Sequence, residues 1–181
     1  MLEKIKQSAK NLKNTRALAL AGMLLALDAV LGIFKIPFAL DNRITLTFAA
    51  VAAAGILLGP VPAMLIGGLG DVLGYLLNPG GGAYFIGFTI SGMLGGLIYG
   101  LCLYKRDKKH AIWWIVLAVC LITFFVNIIL NTVWLSILYD KAYSMFAAAR
   151  IIKNFVVAPV HIIVIFALFM LVERMNLAKK L

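Results

Sequence analysis

The chain has 181 residues, 64% of them hydrophobic, with a mean hydropathy of +1.02 and a formal charge of +10. A soluble domain is nearer half apolar, so this composition excludes one and predicts an all-α integral membrane protein whose apolar runs approach the ~20 residues that cross a bilayer. The positive charge lies at both chain ends and in one short loop, which fits membrane topology and argues against nucleic-acid binding.

Residues 1–14 are basic, with Leu2, Ile5 and Leu12 as sparse apolar points, and predict a cytoplasmic interfacial helix. The first span is expected over 16–33. It is too long for a signal peptide, and no small-residue cleavage site stands at its exit, Gly32-Ile33-Phe34-Lys35. Within it Ala17, Ala21, Gly22 and Ala26 make small-x-x-x-small spacings, a surface suited to docking another membrane protein. Asp28 falls about a turn from its outer end. Phe34–Ile44, with Pro37, Asp41, Asn42 and Arg43, reads as an extracytoplasmic loop.

The second span, 45–58, ends at Gly59-Pro60, a tight turn, so it forms an antiparallel hairpin with the third, 61–77. Gly67, Asp71, Gly74 and Asn78 share one face of the third span. Asn78-Pro79-Gly80-Gly81-Gly82 is the second outer loop. The fourth span, 84–104, opens with Tyr84, Phe85 and Phe88, which serve either as interfacial anchors or as a stacking wall and gate. Gly92, Gly95, Gly96 and Gly100 give it two overlapping G-x-x-x-G spacings, the pattern of close helix approach. Cys102 and Cys120 fall in apolar runs and read as unbridged thiols.

The fifth span, 111–134, carries Asn127, Asn131 and Trp134 at i, i+4 and i+7; Leu135–Ser144 then turns the chain. The sixth, 143–172, carries Arg150, Lys153 and Asn154 at i, i+3 and i+4. His161, deeper, reads as a packing residue. Six spans put both termini in the cytoplasm. The basic clusters Lys4–Arg16, Lys105–Lys109 and Arg174–Lys180 all agree. Residues 1–181 form a single membrane domain with no internal repeat of the kind seen in inverted-repeat transporters.

Ionisable residues inside a membrane default to a functional reading. Asp28, Asp71, Arg150 and Lys153 and the three amides gather in the outer half of the spans. A proton relay or channel would spread such groups through the thickness; a pocket open to the outside concentrates them. The competing reading is that acids and bases only neutralise one another between helices. No G-x-x-x-x-G-K-[ST] and no H-E-x-x-H is present. Ser91 and His161 suggest an intramembrane serine–histidine dyad, but Thr89 stands where G-x-S-x-G needs its first glycine. No catalytic residue, metal or cofactor is therefore assigned, and a non-enzymatic binding subunit of a larger transporter is expected. An intramembrane enzyme and a structural membrane subunit are the alternatives of other classes.

Five stretches carry a family resemblance: T-R-A-L-A-L-A-G-M-L-L-A-L (Thr15–Leu27), R-I-T-L-T-F (Arg43–Phe48), G-A-Y-F-I-G-F-T (Gly82–Thr89), L-N-T-V-W-L-S-I-L-Y (Leu130–Tyr139) and A-R-I-I-K-N (Ala149–Asn154). With them the chain resembles the substrate-binding S components of energy-coupling factor (ECF) transporters, most closely the folate-specific branch. The resemblance implies a multi-pass protein of the cell membrane, surrounded by lipid. Its implied partners are a membrane coupling subunit (EcfT) and two ATPase subunits, with the S component toppling to deliver vitamin. It also implies an A-x-x-x-A docking site, matched here by Gly22–Ala26 with Ala17/Ala21 as the nearby alternative. Folate suits the residues chemically. Asp71 accepts from pterin N–H groups, and Asn127, Asn131 and Asn154 read its edge. Trp134, Phe85 and Phe88 are expected to stack, with Tyr84 beside them in the outer wall, and Arg43, Arg150 and Lys153 to offset the glutamate carboxylates. Another vitamin or vitamin precursor is the runner-up.

Overall fold

The computed structural model describes residues 2–34, 36–39, 42–78, 84–140 and 143–175. Asp41, the glycines of 80–82 and the basic pair Lys179 and Lys180 lie outside them, as does the side chain of Arg43.

Apolar residues on every face leave these segments no choice but helix, since each backbone N–H and C=O must be satisfied within its own segment in lipid. The helices are α1 (Leu2–Asn11), α2 (Thr15–Ile33), α3 (Thr47–Leu57), α4 (Pro60–Leu77), α5 (Ile86–Leu103), α6 (Ala111–Leu121), α7 (Asn131–Tyr139) and α8 (Tyr143–Arg174). Asn14 starts α2 by accepting from the Arg16 N–H at 3.1 Å. The bundle is helical throughout. The one sheet among the described residues is a small hairpin, β1 (Ile36–Ala39) against β2 (Asn42–Ile44), in the expected first outer loop, with Ile36 opposite Ile44 and Pro37 opposite Arg43.

Among the described residues five stretches are long and apolar enough to cross a membrane: Thr15–Ile33, Pro60–Leu77, Ile86–Leu103, Lys108–Tyr139 and Arg150–Arg174. The sixth apolar helix, α3, has 11 residues. At 1.5 Å per residue it spans about 16 Å, half of a hydrocarbon core of about 30 Å. It is nonetheless the best buried. Ala50, Ala52, Ala54 and Leu58 are each no more than 1% exposed, because a run of alanines lets α2, α4 and α5 close around it. The expected α3–α4 hairpin is present. Gly59 turns it at φ +94°, a conformation that side chains resist, and Pro60 starts α4.

The glycines of α4 and α5 pack the two helices backbone to backbone. A Cβ at Gly67 would strike the Gly92 carbonyl oxygen, one at Gly96 the Ala63 carbonyl and one at Gly100 the Pro60 Cα. This is the close approach that the G-x-x-x-G spacings predict.

Three expectations need correction. The fifth span is not a plain α-helix: Ile122–Leu130 is a π-helix joining α6 to α7. The chain does not turn over Leu135–Ser144, because α7 continues to Tyr139 and the reversal begins at Asp140, in the left-handed region at φ 49°. The small-residue face of α2 also divides. Ala17 and Ala21 are buried in the core, while Gly22 and Ala26 face outward, with nothing within 4 Å of a Cβ built on Gly22. Only the second pair is exposed. Finally, α1 is tied to the bundle. Ser8 is fully buried, donating to the Leu58 carbonyl and accepting from the Val61 N–H, both at 3.1 Å.

Candidate functional site

A cavity of about 400 Å³ opens at the end of the bundle where α2 and α4 finish and α3 and α5 begin, opposite the basic 105–110 connection. Each helix supplies its wall for a local reason. On α4, Asp71 and Gly74 turn one carboxylate and one hydrogen-only position toward the space. Nothing lies within 4 Å of a Cβ at Gly74 or Gly95, so these glycines border open volume, whereas Gly67 and Gly92 seal the helix contact behind it. The π-helix brings Ile122, Val126 and Asn127 to the cavity, and Asn131 follows at the start of α7. Its wider turn keeps the two amides adjacent, with Asn131 Nδ2 donating to Asn127 Oδ1 at 3.4 Å.

Asp71 is held by a hydrogen-bonded chain. Thr89 Oγ1 donates to Asp71 Oδ2 at 2.7 Å, and the Tyr84 hydroxyl lies 2.6 Å from the same threonine oxygen. Thr89 has a single proton, which goes to the carboxylate, so Tyr84 is the donor in the second bond. Tyr84 also leans on Tyr75, a cavity-lining residue one turn beyond Asp71, at 5.3 Å between centroids.

An aromatic group adjoins the amide side. Phe85 sits between Phe88 at 6.1 Å and Trp134 at 5.8 Å, and Phe88 lines the cavity. Gly87 makes room for the pair, since a Cβ there would stand 2.5 Å from Phe85 and 2.6 Å from Trp134. The Trp134 indole donates to Ser91 Oγ at 3.1 Å. Ser91 is thus engaged by an indole, and His161 stacks on Phe48 with centroids 3.7 Å apart, so the serine–histidine pairing is not made.

Of the residues expected in the site, Asp71, Phe88, Asn127 and Asn131 line the cavity directly, with Tyr84, Phe85 and Trp134 one contact behind. Arg150 joins through the backbone, its Nη1 donating to the Asn127 carbonyl at 3.2 Å. Lys153 is half-buried and Asn154 buried on the same helix, and neither is part of the cavity lining. Arg43 lies on β2, with its side chain outside the described residues.

The sequence reading leaves Asp28, Thr45, Thr47, Phe48, Tyr75, Thr89 and Ser91 out of the site; all but Thr89 line the cavity and Thr89 bonds to Asp71. Three had a signal. Asp28 is an ionisable residue inside an apolar span, Tyr75 is i+4 from Asp71, and Thr89 follows Phe88 on the turn that opens α5. Among the described residues no cluster of His, Cys, Asp and Glu is arranged to hold a metal ion. The arrangement is one of recognition: carboxylates and amides around a space flanked by aromatic rings.

A family model described as the ECF transporter substrate-specific component matches residues 16–172. The folate transporter FolT of Clostridium novyi (strain NT) is 40% identical over 138 residues, which cover 76% of this chain and 78% of that protein. The FolT of Leuconostoc mesenteroides is 37% identical over 158 residues, 82% of each chain. A crystal structure of FolT bound with folic acid aligns with a TM-score of 0.77 at 34% identity, over 86% of this chain and 93% of that one. The S component of a bacterial ECF transporter aligns at 0.66 and 22% identity over 88% and 94%, and shares the fold.

Proposed function

We propose that this chain, which belongs to the family of ECF transporter substrate-specific components, binds folate in the cavity between α2, α4, α5 and the α6–α7 run. The family is a transporter component and not an enzyme. The observation that carries the reading is the cavity itself, whose carboxylate, paired amides and aromatic rim match the donor-bearing edge and flat rings of a pterin. Its volume of about 400 Å³ falls in the range of about 300–1,000 Å³ usual for small-molecule sites. The FolT relatives support the choice of folate over another vitamin.

In this reading Asp71 accepts from pterin N–H groups, Asn127 and Asn131 read the ring edge, and Phe85, Phe88 and Trp134 stack. Arg43, Arg150 and Lys153 are assigned to offset the glutamate carboxylates, with Asn154 beside Lys153 on α8. The chain is one membrane domain of six spans in the plasma membrane, with α3 as the short second span and both termini cytoplasmic. The cavity then opens outward. Gly22 and Ala26 face the EcfT-type coupling subunit, and two ATPase subunits supply the energy, since no nucleotide motif is encoded here.

Native mass spectrometry of the purified protein, followed by titration with folic acid, tests the reading. A co-purified or titratable folate at one per chain is expected, and in liposomes the chain alone binds without ATP-driven accumulation. A different ligand mass, or no folate binding by folded protein, overturns it.

A further inference from the structure

We infer that Asp28 is a specificity-determining residue of this cavity, its Oδ1 accepting an N–H group from a 2-amino-4-oxo heterocycle at the buried end of the ligand; the inference rests on the folate reading above. Asp28 lies in the last turns of α2, only 3% exposed, and lines the cavity. Its Oδ2 rests against α4 at Gly70, where a Cβ would occupy the carboxylate's own position. Glycine at 70 is therefore what allows this carboxyl group to sit between the helices at all. Its Oδ1 is buried and has no hydrogen-bond partner.

A second acceptor repeats the pattern on another wall. Asn131 Oδ1 is also buried and without a partner, while the same residue's Nδ2 is committed to Asn127. A buried acceptor with no donor costs free energy that an incoming donor recovers, so the cavity suits a ligand with N–H groups on more than one edge. A 2-amino-4-oxo ring presents its exocyclic amine and adjacent ring N–H side by side, a planar donor pair of the kind carboxylates recognise. Because one oxygen is packed on Gly70, Asp28 offers one acceptor atom and not a two-pronged grip. Asp71, fixed by Thr89, remains a separate acceptor on α4.

The selectivity that follows is against absence. A site built to accept a hydrogen bond rejects an analogue that lacks the donor far more strongly than a hydrophobic pocket rejects a missing methylene, because the acceptor is left buried and unmet. The test is a cycle crossing Asp28→Ala and Asp28→Ser with folic acid and its 2-desamino analogue. Binding is read by calorimetry, and the thermal midpoint of the ligand-free protein is read beside it. Wild-type protein should prefer folic acid by at least about tenfold. A variant with a near wild-type midpoint should bind folic acid about ten- to a hundredfold more weakly and retain at most about a threefold preference between the two ligands. Unchanged folic acid affinity in a folded variant, or an undiminished preference, overturns the inference. Failure of both variants to fold assigns Asp28 to structure and also overturns it. If wild-type protein binds no folic acid, the functional reading fails and this inference with it; if only the cycle fails, wild-type binding stands intact.

Discussion

Replacing Thr89 with valine removes one hydroxyl and keeps the shape of the side chain. That hydroxyl is the middle link of Tyr84–Thr89–Asp71, with bonds of 2.6 and 2.7 Å. The bond to the carboxylate belongs to the class worth roughly 1.5–3 kcal/mol, and the bond from Tyr84 to the neutral class worth roughly 0.5–1.5. Tyr84 is 40% exposed, so water replaces much of its bond, and Asp71 is only half-buried, which discounts the larger one. A net loss of about 1–2 kcal/mol in holding Asp71 toward the cavity remains, equivalent to folate binding weakened about 5- to 30-fold. Titration calorimetry of Thr89→Val measures it, with the thermal midpoint as the control for folding. In an Asp71→Asn background the same substitution should add less than about threefold, because the two act through one bond. Wild-type affinity in Thr89→Val, or a full additive loss in the double variant, would refute the positioning role.

Arg150→Gln should loosen the π-helix wall at Asn127 and weaken folate binding on the order of tenfold, with Lys153→Gln acting only on the anionic end of the ligand; loss of affinity strictly in step with lost thermal stability in both would make the pair structural. Gly67→Ala should cost about 1–3 kcal/mol of stability, because its methyl meets the Gly92 carbonyl, whereas Gly95→Ala, with open space, should be neutral or slightly stabilising; equal midpoints for the two would undo the packing argument. Gly22→Trp should leave folate binding intact and abolish uptake when the coupling subunits are present, and normal uptake would remove that face from docking. Cysteines at Lys108 and Asn42 should label from opposite sides of the membrane, the first from the cytoplasm; labelling from one side would break the six-span arrangement.

What could be read from sequence was local and polar. The glycine spacings of α4 and α5 predicted a contact that the backbone makes, since each needs only its own helix to be recognised. Asp71, Asn127 and Asn131 stood out because polar groups are conspicuous in apolar segments, and the fold brings them to one cavity. The π-helix left no trace. Ile122–Leu130 is apolar around nearly its whole circumference, so no polar stripe reports how many residues make a turn. Asp28 was visible as an ionisable residue, but its setting depends on Gly70, 42 positions away and on another helix. Trp134 gave no hint of Ser91, whose hydroxyl it finds across 43 residues. Nothing in the basic N-terminal segment singled out Ser8, although it is fully buried.

That serine has a consequence for how the protein is made. Its two partners, Leu58 and Val61, lie 50 and 53 residues further along the chain. During synthesis at roughly 5–20 residues per second, α1 leaves the ribosome about 3–10 seconds before its own docking site exists. The strap can close only once α3 and α4 have inserted and Gly59 has turned between them. The segment translated before its partners is thus among the later ones to find its place, and its closure records that the hairpin beneath it has formed.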